Sequence, residues 1–458
     1  MRPTTWRRST HIIVGVAVVL VVAVVVVAAA LLRTDSSDAS AIPAAPAPAT
    51  ADPAIKPVSD SADKPTPGGL AGAIALALAD PNLGAFTGRI ADAATGEQLW
   101  AQGADVPMQP ASVTKVLTTA AALLALDRDH RLTTTVLASD RRPGLVVLKG
   151  GGDPTLSAAP KGQDTWYRGA ARISDLADQV RGSGTKVTSV AVDISAYSGP
   201  TMAPGWDPLD IDGGDIAPME AVMLDGGRTQ PVSVESRRST TPALDAGRAL
   251  AVALRVDPAA VTVLPSAFDG DEIASVQSPP LIERLREMMN NSDNVMAESI
   301  GREVAAGAGK PQSFAGSVRA VLGELEAAAI DTGGANLMDC SGLSIDDRLT
   351  AETLDETVTA AVGPDHPRLR PLVDLLPIAG GSGTLSNRFL DTDAGRASAG
   401  WLRAKTGSLT GTNSLVGIVT DASGRVLTFA LLSNNAGPTG RTAIDAFAAT
   451  LRSCGCTT

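Results

Sequence analysis

Histidine is nearly absent, with His11, His130 and His366 the only three in 458 residues. His11 lies in an apolar leader, and the other two sit in polar, loop-like stretches. A Ser-His-Asp triad is therefore poorly supplied. Cysteine is equally scarce, and Cys340, Cys454 and Cys456 make neither a disulfide framework nor a zinc cluster. If the chain is exported, Cys340 could pair with one of the C-terminal two. Aromatic residues are 3% of the chain, no basic stripe interleaves with them, and the net charge is −11, which argues against a nucleic-acid partner. Lysine is rare as well, eight against thirty arginines, so each lysine inside a motif carries weight. No cofactor or metal is implied. The run Gly150-Gly151-Gly152-Asp153-Pro154 lacks the Lys-Ser/Thr pair of a phosphate loop and reads as a turn.

What the chain does have is apolar content, 44%, enough to bury a sizeable core. Ile12 to Leu32 is an uninterrupted apolar run of 21 residues, long enough to span a bilayer. Arg2, Arg7 and Arg8 precede it, which places the remainder of the chain outside the cytoplasm. An uncleaved membrane anchor and a cleaved signal both fit, and both export the protein. Residues 1–33 are taken as the cytoplasmic tip with that segment. Residues 34–67, rich in Ala, Pro, Ser and Thr, form a disordered tether. Folding starts near Leu70. A helix from Leu70 to Ala79 is followed by a hairpin of Phe86–Asp92 and Glu97–Gln102. Short strands and turns from 135 to 274 read as an inserted, mainly-β domain within a domain formed by 68–134 and 275–453. Near the end, Arg403–Ser408, Ser414–Thr420 and Arg425–Ser433 read as three strands, and Thr442–Leu451 as a closing helix.

Three short patterns carry chemistry. Ser112-Val113-Thr114-Lys115 opens an apolar run read as a buried helix, so the hydroxyl and amine share one face at its first turn. A desolvated lysine can take a serine proton and make it a nucleophile; the plain alternative is a capping serine beside a surface lysine. Ser292-Asp293-Asn294 links two helices, Leu281–Met289 and Val295–Ala306, where Ser292 or Asp293 would ordinarily cap the second. Lys405-Thr406-Gly407-Ser408 lies on a strand, where the glycine admits a ligand backbone; the plain alternative is an edge strand whose lysine discourages aggregation.

Taken in this order, Ser-x-x-Lys, Ser-x-Asn and Lys-Thr-Gly resemble the signature set of the penicillin-binding proteins and serine β-lactamases. Ser112 and Ser292 are 180 residues apart, and a long insertion there resembles the D-alanyl-D-alanine carboxypeptidase/endopeptidase family of low-molecular-mass penicillin-binding proteins. Pro204-Gly205-Trp206, Asp339-Cys340-Ser341-Gly342-Leu343-Ser344 and Leu376-Pro377-Ile378-Ala379-Gly380 are similar to the same family. The resemblance spans about Leu70 to Leu451, though the insertion is shorter than the family's usual pair of nested domains. It implies an α/β (α+β) fold, a five-stranded antiparallel sheet flanked by helices.

The function the resemblance implies is a serine D-Ala-D-Ala carboxypeptidase trimming peptidoglycan stem peptides, with endopeptidase action on cross-links as a second activity of the family, and inhibited by β-lactams. The alternatives are a β-lactamase-type hydrolase, or an inactive wall-binding or penicillin-binding protein. In the family's terms, Ser112 is the nucleophile, Lys115 its base, and Ser292 a proton relay. Asn294 would hold the substrate amide, Lys405 with Thr406 and Ser408 would bind the terminal carboxylate, and Gly407 completes the strand motif. Asp210 and Asp212, with Leu409 and Thr410 opposite, are candidates for the stem-peptide side chain.

Overall fold

The computed structural model describes residues 17–29, 62–264 and 266–454. Contacts divide the chain into residues 1–57 and residues 58–458. In the first unit residues 17–29 are helical. Among the described residues no helix is long and apolar enough to cross a membrane. The ends of the expected 12–32 span, and most of the expected 34–67 tether, lie outside the described residues.

The second unit opens with α1 (Pro67–Leu78), whose first turn is closed by the Thr66 hydroxyl accepting from Gly69 N at 3.0 Å. Strands β1 (Ala85–Asp92) and β2 (Gln98–Gln102) form the expected hairpin. A single 3₁₀ turn, Ala111–Val113, then leads into α2 (Thr114–Ala125). Next come β3 (Thr133–Ala138), β4 (Leu145–Lys149), α3 (Ile173–Gly182), β5 (Ser189–Asp193), α4 (Pro242–Leu254), β6 (Thr262–Val263) and β7 (Asp271–Gln277). These strands make a second five-stranded sheet in the order β6-β5-β4-β3-β7, with β4–β5 and β5–β6 parallel. Parallel neighbours cannot be joined by a tight turn and need a crossover. The two crossovers contain α3 and α4, whose Leu176, Val180, Ala246 and Leu250 pack on Val136, Val146, Leu148 and Val192. The expected mainly-β insertion thus carries a helical layer. Its glycine run is a packed turn: a Cβ on Gly150 would sit 2.3 Å from Ala221 O, and one on Gly151 2.1 Å from Thr133 O.

The chain continues through α5 (Leu281–Asn291), α6 (Asn294–Gly307), α7 (Phe314–Ala327), α8 (Ala351–Val362), β8 (Leu402–Leu409), β9 (Thr412–Thr420), β10 (Val426–Asn434) and α9 (Gly440–Ser453). The first sheet runs β2-β1-β10-β9-β8, antiparallel throughout, as the resemblance implies. Both of its faces are covered, and strand alternation assigns them. On β10, Leu427, Phe429 and Leu431 join a core with α1 and α9, whereas Ala430 and Leu432 join another with α2, α6 and α8. Strand β8, which carries Lys405, is left as one edge.

Cys340 is a free, buried thiol, not a disulfide partner, while Cys454 is disulfide-bonded. The α5–α6 pair is pinned by Arg284 and Glu303, both almost fully buried, with Arg284 Nη2 donating to Glu303 Oε2 at 3.0 Å. Arg284 Nε also donates to Pro279 O at 3.1 Å. The turn between these helices is Ser292-Asp293, so this ion pair joins the two helices that flank Ser292. Removing one member of such a pair leaves a buried charge unpaired. Glu303→Ala is expected to lower unfolding stability by about 3–5 kcal/mol, read as an earlier midpoint in urea denaturation of the folded unit.

Candidate active site

The first component is the turn before α2. Ala111 holds φ +53°, uncommon for a residue with a side chain, and Gly342 explains how that conformation fits. A Cβ on Gly342 would lie 1.9 Å from Ala111 O. Gly407 plays the same part from β8: its missing Cβ would meet Pro110 O at 2.7 Å and Ser112 N at 3.0 Å. The glycine that the sequence marks on this strand therefore admits the turn that carries Ser112. Ser414 Oγ donates to Pro110 O at 2.6 Å and ties that turn to β9. Ser112 is left half-buried, on the wall of a cleft.

Lys115, one turn on, is completely buried. Its Nζ donates to Ser112 Oγ at 2.9 Å, Asn294 Oδ1 at 2.6 Å and Ser341 O at 2.7 Å. All three acceptors are uncharged. Burial lowers its pKa from 10.5 to about 8, with Asp339, Asp293, Glu298 and Asp347 acting the other way at longer range. Asn294 Nδ2 donates to Asp215 O at 3.1 Å, which fixes its amide with the oxygen toward Lys115. The Asp215 carbonyl comes from the inserted region.

The second lysine, Lys405, is also fully buried, and its Nζ donates to Ser292 Oγ at 2.9 Å and Thr406 O at 2.8 Å. Burial first, then the charges of Lys115 and Arg388, hold it well below the ordinary lysine range. Lys405 is buried and is not among the residues that line the cleft, whereas Thr406 and Ser408 of the same strand are. Ser292 adopts the left-handed conformation, φ +56°, at the end of α5. Capping of α6 falls to Asp293, which accepts from Met296 N at 3.0 Å, so the Ser292 hydroxyl is free for Lys405. Tyr167 OH, from the inserted region, donates to the other Asp293 oxygen at 2.6 Å.

A buried carboxylate network supports this floor. Asp339 accepts from Trp206 Nε1 at 2.6 Å and from the backbone N–H groups of Ser341, Gly342 and Ser344 at 2.6–2.9 Å. It thereby shapes the loop whose Ser341 carbonyl holds Lys115. Glu298 accepts from Cys340 N at 2.8 Å and pairs with Arg302 at 3.2 Å, and its pKa is raised to about 7, chiefly by burial and then by Asp339.

The cleft encloses about 770 Å³ and brings together Ser112, Ser292, Asn294, Thr406, Ser408, Leu409 and Thr410. Asp210 lines it too, beside Asp207 and Asp215; burial, then those two neighbours, raise the Asp210 pKa. Asp212 does not line it: its exposed carboxylate accepts from Arg237 Nε at 3.0 Å. Sequence reasoning missed Asp215, Thr384, Arg388 and Arg441 on the walls, and Tyr167 behind them. Trp206 and Asp339 did carry a signal, since both fall in stretches that resemble the family. The others sit outside any motif and reach the site only by folding.

Two sequence-family models match the chain. The D-Ala-D-Ala carboxypeptidase 3 (S13) family covers residues 70–236 and 229–451, and the Carboxypeptidase Rv3627c-like, N-terminal domain covers residues 1–57. Carboxypeptidase DacB of Mycolicibacterium smegmatis is 74% identical over 458 residues, all of both chains. The D-alanyl-D-alanine carboxypeptidase of Actinomadura sp. strain R39 is 31% identical over 82% of each. In fold, the crystal structure of penicillin binding protein 4 (dacB) from Haemophilus influenzae superimposes with a TM-score of 0.68, covering 80% of this chain and 95% of that one at 22% identity. The same protein complexed with a β-lactam gives 0.64, covering 82% and 98% at 21% identity. A serine and a lysine in contact on a family-wide match leave one assignment: the chain belongs to the D-Ala-D-Ala carboxypeptidase 3 (S13) family and is a serine-type D-Ala-D-Ala carboxypeptidase.

Proposed function

We propose that this carboxypeptidase acts through an acyl-enzyme on Ser112, on peptidoglycan stem peptides ending in D-Ala-D-Ala. The observation that carries the reading is Lys115 Nζ at 2.9 Å from Ser112 Oγ, buried and bound only to neutral acceptors. In its neutral form Lys115 takes the Ser112 proton as Oγ attacks the penultimate carbonyl. The backbone N–H groups of Ser112 and Ser408 hold the oxyanion, and loss of one such donor typically costs about 10²–10³-fold in rate. The proton then passes through Ser292 to the departing D-alanine nitrogen as the amide bond breaks. Lys405 orients Ser292 and adds positive field from below, while Thr406 and Ser408 take the terminal carboxylate and Asn294 the substrate amide. Water attacks the ester and restores Ser112.

Asp210, flanked by Asp207 and Asp215 and faced by Leu409 and Thr410, is the site for a cationic group on the stem-peptide side chain. β-Lactams acylate Ser112 in place of the peptide, a reading supported by the β-lactam complex of the related Haemophilus protein. The 21-residue apolar run behind Arg2, Arg7 and Arg8 supports attachment to the membrane with the catalytic unit outside the cytoplasm.

Three outcomes follow. Intact mass after treatment with penicillin should show one adduct that persists for hours on the wild type and is missing from Ser112→Ala; an adduct clearing within seconds would favour a β-lactamase, and none on either protein would sink the catalytic reading. Lys115 is protonated, and so unable to act, below its pKa of about 8. Acylation should therefore slow about tenfold per pH unit on the acid side of that value, and Lys115→Met should abolish the limb while losing about 10²–10⁴-fold. A profile flat through pH 8 would remove Lys115 as the base. The full chain should sediment with membranes, and a chain begun at Pro67 should stay in the supernatant; equal partition would refute the anchor.

A further inference from the structure

The proposed reaction needs a charged partner for a carboxylate, and the strand motif supplies none directly. A carboxylate next to the scissile amide is best met by a guanidinium fork or an ammonium. Lys405 has its hydrogen bonds committed to Ser292 and Thr406 beneath the floor. The Thr406 and Ser408 hydroxyls offer hydrogen bonds without charge. Two cations line the cleft, Arg388 and Arg441.

Arg388 is the more organised of the two. Its Nε donates to Asp445 Oδ2 at 2.9 Å and its Nη2 bonds the other Asp445 oxygen. Both side chains are largely buried, 10% and 17% exposed, and Asp445 is carried by α9. Nη1 has no hydrogen-bond partner among the described residues. The residue lies four positions after Thr384, whose hydroxyl accepts from Thr406 Oγ1 at 2.8 Å, and all three residues line the cleft. Its charge is close enough to depress the Lys405 pKa. An arginine keeps its charge at every working pH, whereas a buried lysine does not.

We infer that Arg388, held in position by Asp445, receives the carboxylate of the leaving D-alanine and makes the enzyme selective for a free C-terminus. This rests on the carboxypeptidase reading above and deepens it by naming the group that reads the leaving residue. The plain alternative is a strut, an ion pair that only ties residues 383–389 to α9.

Substrate selectivity separates the two. A peptide ending in D-Ala-D-Ala and the same peptide as its C-terminal amide would be assayed with wild type, Arg388→Gln, Arg388→Lys and Asp445→Asn. Acylation by a penicillin and by its methyl ester would be measured in parallel by intact mass. Arg388→Gln should lose on the order of 10–100-fold in kcat/KM on the free acids and change little on the amide and ester. Arg388→Lys should recover part of that loss, and Asp445→Asn should show the same acid-selective loss in weaker form. Equal losses on charged and neutral substrates would make the pair a strut and overturn the assignment, as would an unchanged rate on the acids. A wild type that cleaves neither peptide would strike the carboxypeptidase reading itself, and this assignment with it.

Discussion

Two lysine side chains lie fully buried beneath one cleft, bonded only to hydroxyl, amide and carbonyl oxygens. That constraint governs the site. A carboxylate in direct contact would hold each ammonium charged and useless as a base. Neutral acceptors orient the nitrogens while letting burial weaken their grip on the proton. The carboxylates Asp339, Asp293, Glu298 and Asp347 are kept at longer range, and they limit how far the Lys115 pKa falls, to about 8. A base poised there accepts a proton readily and gives it back readily, as a two-step acyl transfer requires.

Keeping two lysines dry takes contributions from remote parts of the chain. The turn that carries Ser112 is pressed between Gly342 and Gly407, each too close for a side chain. The inserted region closes the other side. Its Asp215 carbonyl turns the Asn294 amide, Tyr167 steadies Asp293, and Trp206 anchors Asp339. Ser299 Oγ donates to Gly152 O and Ser344 Oγ to Pro204 O, both crossing from the catalytic part to the insertion. The insertion is thus a wall of the active site as well as a separate sheet with its own core.

The motifs were legible because they are local. Ser112 and Lys115 are one helical turn apart, and Ser292 and Asn294 share one interhelical turn, so spacing alone puts each pair together. Strand alternation and helix periodicity located the main elements of the first sheet, where both faces are buried and the apolar pattern is strong. The insertion was read less well. Parallel strands covered by helices do not alternate clearly, and a two-residue strand such as Thr262–Val263 leaves no pattern at all. Gly407 was recognised as needed, but its close approach to Pro110 and Ser112 was not foreseen, since nothing in a sequence says which of the chain's own segments lies against a strand. Asp212 was indistinguishable from Asp210 until folding turned one to the cleft and the other to Arg237.

By itself the sequence determined that Ser112 and Lys115 stand side by side, that a serine and an asparagine sit where two helices meet, and that Lys405 lies on a strand of an antiparallel sheet. Each follows from short-range geometry, from apolar periodicity or from resemblance to a known motif set. Tertiary structure alone decided that both lysines are buried without a counter-ion, that Lys405 serves Ser292 from beneath, and that Arg388 shares the cleft with Thr406. These facts depend on which distant segments exclude water and which charges they bring close. Burial and through-space charge are properties of the packed chain, and no spacing along the sequence encodes them.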